Sequence, residues 1–208
     1  MNRNRSIASL IAAAAGAGVI ALAAGFGQPE GQPEMELPPG WTMDDMMACM
    51  QAGTPGEQHA WLAETAGTWS GSGKMWMGPG GEAIDFDGEM TVTPIMDGRY
   101  IRTEMSSDIP GMGPYTGEGV AGYDNVAGRY TSNWFDNHST GIMQGTGKKS
   151  ADGTITWEFK YMCPINRKPT TLREVQKFDG DSLSMEMHAI DPKSGKEYTM
   201  MTFDYTRR

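Results

Sequence analysis

The sequence predicts a mainly β chain: an antiparallel up-and-down barrel of about ten strands with a short N-terminal helical cap. Three observations carry this. From Gly67 onward the pattern repeats every second residue. Trp69, Gly71, Gly73, Met75 and Met77 alternate with Thr68, Ser70, Ser72, Lys74 and Trp76, and Ile84, Phe86, Met90 and Val92 alternate with Asp85, Asp87, Glu89, Thr91 and Thr93. An apolar face backed by a polar one is what a half-buried antiparallel strand needs. Turn signals then recur at strand-length intervals, at Asp97-Gly98, Pro110-Gly111, Asn125 to Gly128, Asp152-Gly153, Asp179-Gly180 and Asp191 to Gly195. Asp-Gly pairs supply the positive φ angles of tight hairpins. No helical stretch after Gly67 is long enough for a βαβ crossover, so the strands read as a run of hairpins. Left open, such a sheet would expose two edges; closing it removes both.

The chain has 208 residues, with 26 Asp+Glu against 17 Lys+Arg and a formal charge of −9. A pI near 4.8 excludes a nucleic-acid binder, which needs a basic surface to displace counterions. A mean hydropathy of −0.47 excludes a polytopic membrane protein. Two cysteines make neither a disulfide-rich scaffold nor a four-thiolate zinc site. The sequence carries no signal for an oligomeric state.

Residues 1–24 read as a signal peptide. Arg3 and Arg5 precede an uncharged run from Ser6 to Pro29, which contains Ala21-Leu22-Ala23. A run of that length also suits an uncleaved membrane anchor. Its Ala and Gly insert weakly beside Leu or Ile, which favours cleavage. The expectation is an exported protein, periplasmic or secreted, with no stable membrane span once the signal is removed. Loss of Arg3 and Arg5 takes the charge from −9 to −11 (−9 − 2). Export makes Cys49 and Cys163 a candidate disulfide. Nothing in their spacing shows the two Cα atoms within bridging distance, so two independent thiols is the reading adopted.

Residues 25–41 form a linker with Pro29, Pro33, Pro38 and Pro39 among Gly and Glu. Residues 42–66 form the helical cap. Thr42 is placed to N-cap a first helix with Asp44 and Asp45 in its opening turn. Thr54-Pro55-Gly56-Glu57 reads as a capping box opening a second helix, which carries Trp61, Leu62 and Thr65 and stops at Gly67. The barrel occupies residues 67–208.

Two stretches carry a resemblance. Leu62-Ala63-Glu64-Thr65-Ala66-Gly67-Thr68-Trp69-Ser70-Gly71 looks like the G-x-W opening strand of calycin-type barrels. Gly122-Tyr123-Asp124, Tyr130, Trp134, Asp136, Ser139 and Thr140 follow a G-Y-D … Y-x-x-x-W-x-D-x-x-S-T pattern. Together they resemble the bacterial domain-of-unknown-function family 1579 over roughly residues 55–208. The resemblance implies a calycin-like barrel, of the lipocalin or fatty-acid-binding-protein type. It implies no catalytic residues.

The strand Tyr130 to His138 offers the candidate site. Every second residue places Tyr130, Ser132, Trp134, Asp136 and His138 on one face, apolar walls with a carboxylate, a hydroxyl and an imidazole. Ile155, Trp157, Phe159 and Tyr161 form a neighbouring apolar face. With Trp69 and Tyr123, this gives a candidate pocket of Trp69, Tyr123, Tyr130, Trp134, Asp136, His138, Trp157 and Tyr161. Apolar walls with a few convergent polar groups suit a small hydrophobic or amphipathic ligand, in a cavity of about 300 Å³ or more. The alternative is that the same rings fill the core, leaving a packed barrel whose role is structural or interactive. A hydrolase using Asp136 and His138 is a third reading, weakened by the absence of a G-x-S-x-G elbow.

No metal or cofactor is expected. Met43, Met46, Met47 and Met50 recur at helical spacing beside Cys49, a pattern open to Cu(I) but better read as an apolar helix face that uses Met in place of Leu. His59, His138 and His188 lack an axial-ligand context for haem. Asp85, Asp87 and Glu89 lack calcium-loop spacing and read as a solvated strand face. A Met-lined interior would adapt to several apolar shapes.

Overall fold

The computed structural model describes residues 37–208, so the expected signal peptide and most of the linker lie outside the described residues. The chain divides into two compact units, Met1–Thr54 and Pro55–Arg208. The division falls inside the stretch expected as one cap: each unit holds one of its two helices.

The first unit contains helix α1, Met43–Ala52. Thr42 is its N-cap as expected: Asp45 N–H donates to Thr42 Oγ1 at 3.2 Å, and Thr42 N–H donates to Asp45 Oδ2 at 2.8 Å. No α1 residue is buried, and Met43, Met47 and Met50 are exposed.

The second unit opens with helix α2, Glu57–Ala63. The Thr54 capping box expected here does not form. Thr54 Oγ1 donates instead to Met50 O at 2.8 Å, and the N-cap is Gly56, whose N–H donates to Nδ1 of the buried His59 at 3.0 Å. Ten strands follow: β1 Gly67–Met75, β2 Ile84–Ile95, β3 Tyr100–Ile109, β4 Gly113–Asp124, β5 Arg129–Asp136, β6 Met143–Lys149, β7 Thr154–Met162, β8 Pro169–Asp179, β9 Ser182–Ile190 and β10 Glu197–Arg207. Each pairs antiparallel with its sequence neighbours, and β1 closes on β10 from Trp69↔Arg207 to Met75↔Met201. The up-and-down closed barrel is as expected. Met77 is a correction: β1 ends at Met75, and Met77 lies 68% exposed beyond it.

Parity sends Trp69, Phe86, Met90, Val92, Ile101, Tyr130, Ile155, Trp157, Phe159, Leu172, Leu183, Met185, Phe203 and Tyr205 inward as the core. Large rings crowd a barrel of this size, and glycines make room for them. Inward G-x-G pairs on β1 and β6 stand directly across from rings: Gly71↔Tyr205, Gly73↔Phe203, Gly145↔Phe159 and Gly147↔Trp157. On β4, Gly119 faces Trp134. A Cβ on Gly147 would lie 2.7 Å from Trp157 Cε3, and one on Gly117 2.4 Å from Trp134 Cζ2. The rings therefore lie across bare backbone.

The G-x-W segment ties α2 to the barrel. Trp69 is fully buried, and its Nε1 donates to Thr65 O at 3.0 Å. The Arg207 guanidinium lies 4.2 Å from the Trp69 ring centroid and donates to the Glu64 and Ala66 carbonyls. The last strand thus holds the turn that leads into the first.

Replacing Gly147 by Ala is expected to cost about 1–3 kcal/mol, because Trp157 has no flexible tip to withdraw. Gly141→Ala, in an exposed loop with open space around it, is expected to change stability by less than about 0.5 kcal/mol. Urea unfolding of both variants checks this. Equal midpoints for the two would contradict the packing account.

Candidate functional site

Between the rings and α2 lies an interior cavity of about 120 Å³. Trp61 and Leu62 of α2 and Thr65 just beyond it line the cavity, together with Trp134 and Trp157 of the wall. Six methionines line it as well: Met90, Met105, Met143, Met185, Met187 and Met201. The expectation of a Met-rich interior holds. The expected volume of 300 Å³ or more does not, because rings lying over glycines take up the space that small inward residues would otherwise leave. A cavity of about 150 Å³ holds a benzene, so this one takes a short chain as it stands and a single ring only with some give in its walls. Unbranched thioether side chains can shift to admit more.

The polar group that matters here is Glu174, which the sequence reading missed. It stands on β8 between Trp157 of β7 and Met187 of β9 in the same cross-strand row, 5% exposed. Gln176 Nε2 donates to it at 2.5 Å, and Trp157 Nε1 donates to Gln176 Oε1 at 3.4 Å. Burial pushes the Glu174 carboxyl up to about 7, the Gln176 hydrogen bond opposing this in part. No Lys, Arg or His lines the cavity. Leu172 and Phe178 share Glu174's parity and are apolar, so the signal was present: an acid and an amide inside an inward-facing run.

Two phenols add to the polar set, beside Thr103, Ser132 and Asn133. Tyr115 OH accepts from Trp134 Nε1 at 2.9 Å, and Tyr205 OH donates to Met105 Sδ at 3.5 Å. Both phenols are raised in pKa by burial. The charge of Asp136 adds to this at Tyr115, and that of Glu174 at Tyr205.

Of the eight candidate residues, Trp134 and Trp157 line the cavity. Trp69 is buried at the α2 junction. Tyr123 and Tyr130 fix α2 from below: Tyr130 OH donates to Gln58 Oε1, and Tyr123 packs edge-on against both Tyr130 (5.0 Å) and His59 (6.0 Å). Tyr161 is half-buried near Cys163 and Tyr198. Asp136 is half-buried at the far end of β5. His138 is a correction. Asn137 ends β5, donating to Pro114 O and accepting from Thr116 N–H at 2.9 Å each, so His138 leaves the sheet and is exposed.

Asp136 Oδ1 accepts the backbone N–H of His138 at 3.0 Å, while the His138 ring packs edge-on against Tyr115. Ser132 and Ser139 spend their hydroxyls on Asn133 O and Gly141 O. These residues assemble no nucleophile–base pair. Of the other histidines, His59 caps α2, and His188 meets Glu186 and Thr199 on the outer face. Cys163 is buried, Cys49 is exposed, and both are free thiols. A wider depression of about 570 Å³ crosses the outer face of β2–β5, where Thr91, Glu104, Glu118 and Phe135 align across the strands. It is an open acidic strand face. The enclosed cavity, with its buried acid, is the better-built site.

Glu174 also makes a stability prediction. Its folded pKa lies above the ordinary 4.5, so the folded state holds the proton more tightly. Stability is therefore full below about pH 4.5 and falls as pH rises to about 7, by up to roughly 3 kcal/mol. Glu174→Gln is expected to remove this slope and to be more stable than the unaltered protein at pH 8. Urea midpoints from pH 4.5 to 8 check it; parallel curves for the two proteins would contradict it.

Two of the solved structures that share this barrel fold follow. The crystal structure of Rv2717c from M. tuberculosis has a TM-score of 0.57 at 16% identity, covering 74% of this chain and 99% of that one. The S-type phycobiliprotein lyase CPES from Guillardia theta has a TM-score of 0.52 at 11% identity, covering 74% of this chain and 98% of that one. No curated protein matches the chain. The family model described as Protein of unknown function (DUF1579) matches residues 54–207, and the chain belongs to that family.

Proposed function

We propose that this protein is exported and binds a small amphipathic molecule inside the barrel, with the ligand's polar end at Glu174. The observation that carries the reading is one acid, nine-tenths buried and hydrogen-bonded to Gln176, in a cavity walled mainly by methionines, rings and aliphatic side chains and holding no other charged residue. A packed core gains nothing from such a group, whose burial costs several kcal/mol when ionised. A bound ligand that donates a hydrogen bond or carries a positive charge offsets that cost. Apolar contact with the methionine wall supplies affinity, at roughly 25 cal/mol per Å² buried. The likeness to a phycobiliprotein lyase carries the fold; the ligand reading rests on the cavity.

The cavity's acid also sets the sign of the ligand. An anion placed against Glu174 meets a like charge or forces it to take up a proton, and no interior cation offsets either. The favoured ligand is therefore an apolar body with a basic or neutral donor group. The packed, structural reading draws on the cavity's small volume, about 120 Å³.

A matched single-ring series separates these readings. Benzylamine and benzyl alcohol are expected to bind at pH 7.5 at about millimolar concentration, at least tenfold tighter than benzoate. Shifts of the Trp134 and Trp157 indole signals would report it by nuclear magnetic resonance. Benzoate binding tightest would overturn the charge argument. No binding by any member of the series, toluene included, would favour the packed barrel.

A further inference from the structure

The two ends of the barrel differ in chemistry. One carries α2. The other is ringed by five connections, residues 76–83, 110–112, 137–142, 163–168 and 191–196. Four of these hold a large apolar side chain in water: Met77, Met112, Ile142 and Ile165, the last 69% exposed. Met162, at the tip of β7, adds a fifth. Single exposed apolar residues are ordinary. Five around one mouth, interspersed with mainly basic residues, are a pattern.

The charge is Arg167, Lys168, Lys193 and Lys196 against Glu82 and Asp191, an excess of two positive charges on a chain of formal charge −9. Lys74, Arg102, Arg173, Arg207 and Arg208 all lie within ion-pair distance of a carboxylate. Among the described residues the four rim cations have no such partner, and all four are exposed. The 163–168 and 191–196 connections are neighbours, because β8 and β9 between them join at the opposite end. The four cations therefore form one patch. Met162 and Ile165 stand on one side of it, and Met77 on the other, beside β10. The opposite end also exposes Met96, Tyr100 and Val126, but its connections hold Asp97, Asp152 and Asp181 against Arg99, and Arg129, Lys148, Lys149 and Lys177 are spread over the strand ends around them.

We propose that the end of the barrel opposite α2 docks on an anionic lipid bilayer. The apolar tips enter the headgroup boundary, and the basic patch lies over the negative surface, as in other peripheral proteins that combine the two forces. The acidic strand face with Glu104 and Glu118 is repelled, and the joining of apolar tips to the basic patch at one end selects the orientation. A protein partner is disfavoured by the form of the rim: separate loop tips offer neither a helix groove nor a free strand edge. Docking sets the barrel mouth against the phase in which apolar molecules concentrate. The proposal does not depend on the ligand reading.

Hydrogen–deuterium exchange of the full chain tests it locally, whatever the N-terminal segment does. Vesicles of phosphatidylglycerol and phosphatidylcholine are expected to protect residues 76–83, 137–142, 163–168 and 191–196, and to leave the hairpins at 96–99 and 150–153 unchanged. Lys193→Gln and Lys196→Gln are each expected to weaken this protection about fivefold at low salt, and Ile165→Ser to weaken it further. Lys177→Gln, near the opposite end, is expected to leave it unchanged, which separates the patch from net charge. All four positions are exposed, and near-ultraviolet circular dichroism confirms that the variants fold. The proposal is overturned by no protection, by protection of the opposite hairpins, by equal protection on pure phosphatidylcholine, or by the same pattern with soluble poly-glutamate, which would mark a polyanion site instead.

Discussion

The barrel closes because large rings on one strand lie flat across glycines on the next. Gly71, Gly73, Gly119, Gly145 and Gly147 each face an aromatic residue in the register. A side chain at any of these positions would meet backbone or ring within 3 Å. This accounts for glycines that turns do not, since turns take the positive-φ set such as Gly98 and Gly153. It also sets the cavity. Rings that lie down occupy the wall and leave a small central volume, and methionines fill the remainder with side chains able to shift.

Within that volume one acid stands out. Glu174 is held between Trp157 and Met187, fixed by Gln176 and raised in pKa by burial. Its arrangement is costly to stability at neutral pH and is therefore informative: groups that weaken a fold are where function is sought. The same acid makes the interior hostile to anions. At the end of the barrel opposite α2, basic residues gather among apolar tips. Interior and rim thus carry charge of opposite sign.

Strand identity, hairpin positions and barrel closure were legible, since a period of two and Asp-Gly turns are local signals. The site was legible only in part. Parity correctly turned Tyr130, Trp134, Trp157 and Phe159 inward, but parity says nothing of height along the barrel axis. Tyr130 and Trp134, four residues apart on β5, meet α2 and the cavity respectively. His138 failed for a related reason: Asn137 ends β5 through its side-chain bonds to β4, and an alternation argument does not see where a strand stops. Glu174 was readable from Leu172 and Phe178 on either side, yet a search led by aromatic and histidine residues passed over a carboxylate in an apolar run. The Thr54 capping box failed because Thr54 bonds backward to Met50 while His59 caps from within the helix.

The most direct test of the central claim, that Glu174 anchors an interior ligand, is native against denaturing mass spectrometry of the protein and its Glu174→Gln variant from one host. The account predicts a small neutral or basic molecule that is bound to the unaltered protein, lost on denaturation and absent from the variant. A bare polypeptide mass for a folded sample of the unaltered protein, or the same adduct retained by the variant, would contradict it.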